Sequence, residues 1–185
     1  MSAADQIVAQ GVPESLWEFI RASCRLPFDA FQLRSGPALP EPARGLLHHA
    51  RDMTSTLAEF HASPLRVEVL QSRRSRETYL REVFLRTTTT DQIVEYGVLA
   101  VALDQFTPAQ RAEIEAGRMP LGALLHRFQI SFVSAPVAFF AASAASLAAT
   151  PFAAHATSEC CGRLNRLSRS TGEPLAWILE ILPPP

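Results

Sequence analysis

Two runs of alternating apolar residues, joined by a short polar segment, constrain the fold of this chain more than any other feature. They lie in the stretch "TYLREVFLRTTTTDQIVEYGVLAVAL", whose polar segment covers residues 87–91. Alternation with a period of two is typical of β-strands, and two such runs around a short polar connection predict a hairpin. The stretch "CGRLNRLSRSTGEPLAWILEIL" predicts a second hairpin that turns at residues 170–173. We therefore expect a mainly antiparallel sheet.

Helical patterns lie before and between these strands. The stretches "PESLWEFIRASC" and "ARGLLHHARDMTSTLAEFHA" have apolar residues at helical spacing, and the strand-like "LRVEVL" follows the second of them. The stretch "TPAQRAEIEAG" predicts a helix with Thr107 as N-cap and Gly117 at its end, and "MPLGALLHRF" predicts a turn and a short helix. The Pro-rich "LRSGPALPEPARG" predicts a loop. This order predicts an α+β domain with a single mainly antiparallel sheet and helices on one side.

The bulk properties of the chain favour a globular protein that acts on small molecules. Its 185 residues suit one domain spanning residues 1–185, with an N-terminal helix and Pro-rich loop in residues 1–45. A formal net charge of −1 gives no sign of a nucleic-acid partner or of an anionic membrane surface. The cysteines are Cys24, Cys160 and Cys161, an odd number without a signal peptide. We therefore expect unpaired thiols in a reducing, cytoplasmic setting.

The longest uncharged segment, residues 128–154, is long enough to cross a bilayer. It is dominated by Ala and Ser, which contribute little to membrane insertion, and it is interrupted by Pro136 and Pro151. We therefore expect no membrane span. We interpret the segment as a buried or half-buried helix of small residues with extended flanks.

Two charged residues lie in otherwise apolar strand faces. Side chains along a strand alternate between its two faces. Arg81 consequently shares a face with Val83 and Leu85, and Glu180 shares a face with Ile178. Burying either charge alone would cost several kcal/mol, so each of the two needs a partner.

These two charges allow two interpretations. In the first, Arg81 and Glu180 form an inert buried pair, or both lie at solvated strand ends. In the second, they line a closed cavity in which Arg81 anchors a carboxylate and Glu180 faces a hydroxyl group or a carbon centre. Apolar surroundings would then raise the pKa of Glu180 and suit it to proton transfer.

Other kinds of site have less support in the sequence. His48 and His49 are adjacent, so on a helix they would point about 100° apart and could not both bind one metal ion. The remaining histidines, His61, His126 and His155, show no ligand spacing with them. No phosphate-binding Gly-rich motif and no Gly-x-Ser-x-Gly is present. The sequence thus gives no sign of a metal, nucleotide or serine-hydrolase site.

Four short motifs occur in an order that resembles a known family. They are the helix "RDMTSTLAEF" followed by "LRVEV", the strand "YLREVFL", the turn "GRMPLGALL", and the hairpin "CGRLNRLSRSTGEPLAWILEILPP". In this order they resemble the chorismate pyruvate-lyase family, also called 4-hydroxybenzoate synthase. The resemblance covers residues 46–185 and implies a chorismate lyase-like fold with an internal ligand cavity.

The resemblance implies roles for individual residues. Arg81 matches the arginine that binds the ring carboxylate, and Leu121 matches the position whose backbone N–H helps to hold that carboxylate. Glu180 matches the acidic residue that meets the ring hydroxyl, and Met53 matches a methionine that contacts the ring. A planar guanidinium with a backbone donor suits a carboxylate, and a thioether suits the face of a flat ring.

Two departures from the family concern the substrate. The family often has a further basic residue close to the position of Tyr96, Gly97 and Val98 in this chain. The segment before the last hairpin is also usually more polar than the Ala-rich run found here. The second carboxylate of chorismate therefore has no obvious partner, and we assign it to Arg163, or alternatively to Arg166, because both lie in the last hairpin.

The function that the resemblance implies is elimination of pyruvate from chorismate to give 4-hydroxybenzoate, without a metal or redox cofactor. Glu180 would assist proton movement at the ring carbon that bears the hydroxyl, and Arg81 would fix the ring. One alternative is a non-catalytic effector-binding domain, since the fold resembles the domain attached to GntR-type transcription regulators. Another is a divergent lyase that makes a different hydroxybenzoate. In each case the expected partner is a small aromatic or cyclohexadiene carboxylate, and the expected assembly is a monomer or a weak dimer.

Overall fold

The computed structural model describes residues 11–24, 26–27, 30–155 and 157–185. Its strands form one seven-stranded sheet in which all neighbouring strands are antiparallel. In chain order the strands are β1 (Gln32–Arg34), β2 (Leu65–Arg74), β3 (Thr78–Thr87), β4 (Ile93–Ala102), β5 (Val133–Ser143), β6 (Glu159–Ser168) and β7 (Pro174–Ile181). Their spatial order is β1-β5-β6-β7-β4-β3-β2. The predicted α+β class with a single antiparallel sheet is confirmed.

Both predicted hairpins are present. β3 pairs with β4, and β6 pairs with β7. β7 also pairs with β4, so the two hairpins join at the centre of the sheet. As a result, the strand that carries Arg81 and the strand that carries Glu180 lie on either side of β4.

The helices of the described residues cover both faces of this sheet, so the prediction of helices on one side was wrong, because the apolar face of the N-terminal helix packs on the side opposite Val83 and Leu85. They are α1 (Glu14–Phe19), α2 (Ala43–Leu47), α3 (Met53–Phe60), α4 (Pro108–Glu115) and α5 (Leu121–Arg127). Ile114 of α4 and Leu124 of α5 share a buried cluster with Val83 of β3, and Leu57 of α3 shares another with Leu85 on the same face of β3. These helices therefore form the cover under which the predicted site lies.

The opposite face of the sheet is covered by the N-terminal segment. Leu16, Phe19 and Ile20 share a buried cluster with Val98 of β4 and Leu179 of β7. A π-helical turn at Ile20–Cys24 continues α1. Because both faces are covered, a charged side chain near the centre of the sheet is shielded from water whichever way it points.

The ends of α4 follow the predicted signals. Thr107 Oγ1 accepts a hydrogen bond from the backbone N–H of Gln110 at 3.3 Å, and Gln110 Oε1 accepts one from the backbone N–H of Thr107 at 3.0 Å. This reciprocal capping box satisfies two donors at the start of the helix. Gly117 has a φ of +65°, a conformation that glycine adopts at low cost.

The helix predicted in "ARGLLHHARDMTSTLAEFHA" is divided into α2 and α3. Asp52 has an extended backbone conformation, and its carboxylate accepts a hydrogen bond from the backbone N–H of Ser55 at 2.8 Å. This is the geometry of an N-cap, so a new helix begins at Met53. The prediction of one continuous helix was wrong. The apolar periodicity continues through residues 48–52, but the helix ends before them and Asp52 caps the start of a second one.

The small-residue helix predicted in residues 128–154 is instead the strand β5. β5 pairs with β1 on one side and with β6 on the other, so its backbone groups are satisfied by neighbouring strands. Pro136 lies at a register shift between Pro136 and Ala138, a position at which a proline fits within a sheet. No helix among the described residues is long and apolar enough to cross a membrane.

Candidate functional site

The register of four strands brings the predicted residues to one face of the sheet. Arg81 on β3 lies opposite Leu99 on β4, Leu99 lies opposite Ile178 on β7, and Ile178 lies opposite Asn165 on β6. Directly opposed residues on antiparallel strands point to the same face. These four side chains therefore form one row across the sheet.

A second row lies two residues further along each strand, about 7 Å from the first. It contains Val83, Gly97, Glu180 and Arg163, which are opposed in that order on β3, β4, β7 and β6. Arg81 and Glu180 thus share a face, as the alternation predicts. They lie in adjacent rows and on strands separated by β4.

These rows form the floor of an enclosed cavity beneath α3 and α5. The cavity has a volume of about 40 Å³. One water molecule needs roughly 10–15 Å³ by the same kind of measure, so this is the scale of a few waters. Its lining combines apolar side chains with three buried charged groups. The charged groups are Arg81, Glu95 and Glu180, and the apolar side chains include Met53, Val67, Val83, Leu85, Leu99 and Ile178.

Arg81 is buried, and no described residue provides it with an anionic partner. Only 1% of its surface is exposed, and Nη2 donates a long hydrogen bond of 3.4 Å to the backbone carbonyl of Met119. Nε and Nη1 are buried and have no hydrogen-bond partner. Burial lowers the pKa of Arg81 to about 10, so the guanidinium is still charged at neutral pH. Two of its nitrogens are therefore available to an anion inside the cavity.

Glu180 has its own cation, and that cation is not Arg81. Arg163 Nε donates to Glu180 Oε2, and the two side chains are 0% and 3% exposed. Arg163 Nη1 also donates to the backbone carbonyls of Leu47 at 2.8 Å and of His49 at 3.2 Å. The buried Arg81–Glu180 pair considered from the sequence is therefore wrong within the described structure, and so is the alternative of two solvated strand ends.

Arg163 lies on the far side of Glu180 from the cavity centre and does not belong to the cavity lining. Its Nη2 is buried without a hydrogen-bond partner. The expected direct contact between Arg163 and a substrate carboxylate stays a prediction. In the structure the guanidinium of Arg163 is ion-paired with the carboxylate of Glu180. Burial raises the pKa of Glu180, and the neighbouring Arg163 opposes that rise.

Met53 and Leu121, the two other predicted residues, also lie at the cavity. Met53 is the first residue of α3, and Leu121 is the first residue of α5. Both side chains are buried, at 4% and 5% exposure. The carbonyl that Arg81 contacts belongs to Met119, two residues before Leu121, so the Pro-Leu-Gly turn lies directly beside the guanidinium.

Gly122 explains why this turn can approach α3 so closely. A Cβ atom at Gly122 would lie 2.8 Å from Asp52 Oδ1 and 3.1 Å from Thr54 Oγ1. A contact this short would displace the Asp52 carboxylate, which caps α3. The glycine thus allows the starts of α3 and α5 to meet over the cavity.

Glu95 is a cavity residue that our sequence reasoning missed. It lies on β4 opposite Leu85, it is 4% exposed, and its Oε2 is buried without a hydrogen-bond partner. Burial and the neighbouring Glu180 raise the pKa of Glu95 well above its usual value, although Arg163 acts in the opposite direction. The signal was available, because Glu95 alternates with Gly97 and Leu99 on an apolar face, as Arg81 does with Val83.

The sequence matches no protein-family model and no curated protein. Among solved structures, PhnF from Mycobacterium smegmatis matches with a TM-score of 0.52 at 14% identity, covering 99% of this chain and 86% of that chain. The possible transcriptional regulator YydK from Bacillus subtilis gives a TM-score of 0.48 at 11% identity, with coverages of 98% and 84%. A protein assigned as the ligand-binding domain of a GntR-family transcriptional regulator from Bordetella bronchiseptica gives 0.44 at 13% identity, with coverages of 64% and 84%.

The similarity to PhnF spans nearly the whole chain and supports the chorismate lyase-like fold that the motifs imply. At such low identities the similarity establishes the fold, and the chemistry has to be argued from the residues of the cavity.

Proposed function

We propose that this chain is a ligand-binding domain that holds a small planar carboxylate in the cavity, with Arg81 as its anchor. The observation that carries the proposal is the pair of Arg81 atoms, Nε and Nη1, buried without a hydrogen-bond partner. A buried guanidinium without a counter-ion is costly. A carboxylate would satisfy one of these atoms through two parallel charge-assisted hydrogen bonds, from Nη2 together with either Nε or Nη1, because the N–H groups of Nε and Nη1 point in different directions.

The groups around Arg81 support a carboxylate on a flat ring. Leu121 occupies the first position of α5, where a backbone N–H has no acceptor within the helix. We assign this N–H a contact with the same carboxylate. Met53 then packs against the ring face, because its thioether is polarisable and adapts to flat aromatic surfaces.

The position of Glu180 favours binding over catalysis. Its carboxylate is held by Arg163, which in turn donates to two backbone carbonyls. An acid fixed in this way can accept a hydrogen bond from a ligand hydroxyl, but taking up a proton from the ring requires part of the ion pair to be given up. An effector domain that binds and releases a hydroxybenzoate-like ligand uses this arrangement as it stands.

Calorimetric titration with benzoate and 4-hydroxybenzoate tests this proposal. We expect binding by the unmodified protein and at least a hundredfold weaker binding by Arg81→Ala and Arg81→Met. Arg76→Ala is the matched control, because Arg76 is exposed on the connection between β2 and β3 and does not reach the cavity. Folding of each variant is checked by circular dichroism. Equal affinity in the Arg81 variants would show that the carboxylate is held elsewhere.

A second candidate function is chorismate pyruvate-lyase activity. The observation that favours it is that Met53, Arg81, Leu121 and Glu180, the four residues matched to the family, all line one cavity. In this reaction the ring C–O bond of the enolpyruvyl ether breaks, and the ring loses the proton on the carbon that bears the hydroxyl. The enolpyruvate leaving group takes up a proton to become pyruvate. Glu180 would assist the ring proton and Arg81 would hold the ring in the reactive conformer.

Incubation of the protein with chorismate separates the two functions. Formation of pyruvate and 4-hydroxybenzoate, with loss of turnover in a folded Glu180→Ala variant, would establish the lyase and the role of Glu180. A different hydroxybenzoate in the product would indicate the divergent lyase. Tight binding of a benzoate without turnover of chorismate is the result expected for the effector-binding domain.

A further inference from the structure

We propose that Glu95 and Glu180 make the far end of the cavity select against a second carboxylate, so that the ligand is a monocarboxylate with an uncharged hydrogen-bonding group at its other end. The inference rests on the proposed anchoring of a carboxylate by Arg81. It goes further by assigning a role to Glu95 and by fixing the charge of the ligand.

The charged residues along the cavity are separated by sign. Arg81 lies in the first row of the face, Glu180 in the second row, and Glu95 lies opposite Leu85, one row further on. Two residues along a strand span about 7 Å, so the guanidinium and the two acids occupy opposite ends of the site. A ligand that places its carboxylate on Arg81 must point its other end at Glu180 and Glu95.

No cation among the described residues is available to a ligand at this end. Among the described residues that line the cavity, Arg81 is the only basic one, whereas Asp52, Glu95 and Glu180 are acidic. Arg163 is close and its Nη2 has no hydrogen-bond partner among the described residues, but its charge is paired with Glu180 and it does not belong to the cavity lining. A carboxylate placed here would be desolvated beside like charge, which costs far more than it would in water.

Glu95 can form a hydrogen bond with a ligand. Its Oε2 is buried and has no hydrogen-bond partner among the described residues, so one polar atom at this end is unsatisfied. Burial and the neighbouring Glu180 favour the protonated form of Glu95. A protonated carboxyl can donate through its O–H and accept through its other oxygen, which suits a hydroxyl group.

Gly97 keeps this end of the cavity open to such a group. It lies between Val83 and Glu180 in the second row, and a Cβ atom there would lie 3.1 Å from Glu95 Oε1. The Glu95 carboxyl therefore lies over the backbone of Gly97, on the side where Glu180 projects. One ligand hydroxyl can thus approach both acids.

The experiment compares matched pairs of ligands by calorimetric titration at neutral pH. 3-Hydroxybenzoate and 4-hydroxybenzoate carry an uncharged hydroxyl where isophthalate and terephthalate carry a second carboxylate. We expect at least one hydroxybenzoate to bind at least tenfold more tightly than the dicarboxylate of the same geometry, and more tightly than benzoate. A dicarboxylate that binds as well as its hydroxybenzoate would overturn the inference.

Variants assign the selectivity to the two acids. Glu95→Gln, which keeps a neutral hydrogen-bonding side chain, should retain the preference for hydroxybenzoate over benzoate, whereas Glu95→Leu should abolish it. Glu180→Gln frees Arg163 from its partner and should shift selectivity at least tenfold towards the dicarboxylate. Glu77→Gln, at an exposed position beside β3, is the control.

The outcomes separate the two proposals. If benzoate binds and Arg81→Ala abolishes binding, but the Glu95 and Glu180 variants leave the selectivity unchanged, the inference fails and the proposed function stands. If neither benzoate nor a hydroxybenzoate binds to the unmodified protein, the anchoring by Arg81 fails and the inference fails with it.

Discussion

Arg163 and Glu180 lie directly opposite each other on β6 and β7, and they are ion-paired inside the protein with side chains 0% and 3% exposed. The pair faces the cavity from one side, where Glu180 belongs to the lining and Arg163 does not. Arg163 also donates to the backbone carbonyls of Leu47 and His49, which lie at the end of α2 and just beyond it. The pair therefore connects the floor of the cavity to the segment that leads into its cover.

Replacement of Arg163 by Met should strongly destabilise the protein. It leaves the Glu180 carboxylate buried without its cation and removes the Arg163 donor from the His49 carbonyl, so we expect the free energy of unfolding to fall by about 3–5 kcal/mol. Urea denaturation followed by circular dichroism measures the change. The double variant Arg163→Met/Glu180→Leu should recover most of the loss, because no uncompensated charge remains.

The exposed pair of Arg51 and Glu59 provides the control for this prediction. Its side chains are 57% and 69% exposed, so solvent screens the interaction. Arg51→Ala should change the free energy of unfolding by less than about 1 kcal/mol. If Arg51→Ala and Arg163→Met lowered the free energy of unfolding by similar amounts, burial would not be the reason for the large effect expected at Arg163.

Replacement of Arg81 by Met should separate stability from binding. The guanidinium has two buried nitrogens without partners, and Met removes this desolvated charge while filling a similar volume. We expect the unfolding free energy to be unchanged or to rise by about 1–3 kcal/mol, together with loss of carboxylate binding. Thermal denaturation of the empty protein measures the first quantity, and titration with benzoate measures the second. A loss of several kcal/mol would show that Arg81 has a structural role instead.

Glu95 predicts a specific dependence of stability on pH. Its folded pKa lies well above the ordinary value of 4.5, so above pH 4.5 the unfolded chain binds fewer protons at this site than the folded protein. The contribution of Glu95 to the free energy of unfolding therefore falls as the pH rises from 4.5 towards the folded pKa. The fall is at most about 1.4 kcal/mol per pH unit. Glu95→Gln lacks this titration. The free energy of unfolding of the variant, measured relative to that of the unmodified protein, should therefore rise over the same pH range.

Urea denaturation of both proteins at several pH values between 4.5 and 7 tests this dependence. The other charged groups that face Glu95 are Arg81 from β3, Glu180 and Arg163 from β7 and β6, and Asp52 before α3, and both proteins contain them. Their titrations therefore largely cancel in the difference. A difference in stability that stays constant with pH would mean that Glu95 is ionised in the folded protein.

Gly122→Ala should loosen the cover of the cavity. The new Cβ would lie 2.8 Å from Asp52 Oδ1, so the carboxylate that caps the start of α3 would be displaced from the backbone N–H of Ser55. We expect a loss of about 1–3 kcal/mol in unfolding free energy and weaker carboxylate binding. Gly45→Ala in α2 is the matched control, because its Cβ would meet Glu41 Oε2 at an ordinary distance of 3.4 Å and alanine favours a helix. Equal effects in both variants would contradict this account.

The sequence alone determined the features that depend on local spacing. Alternation along β3 and β7 placed Arg81 and Glu180 on apolar faces, because a strand repeats every two residues whatever its neighbours are. The signals at Thr107 and Gly117 fixed the ends of α4 for the same reason, since caps are made by residues close in the chain. The motif order also led to the correct fold class and to four residues of the cavity lining.

Only the tertiary structure decided which groups meet. Because β7 lies between β4 and β6, Glu180 forms its ion pair with Arg163, and Arg81 has no anionic partner among the described residues. The same strand order places Glu95 at the far end of the cavity. Pairing of β5 on both sides likewise turns the Ala-rich segment into a strand. Strand order and register join residues far apart in the chain, and the periodicity of one segment carries no information about the strand that will lie beside it.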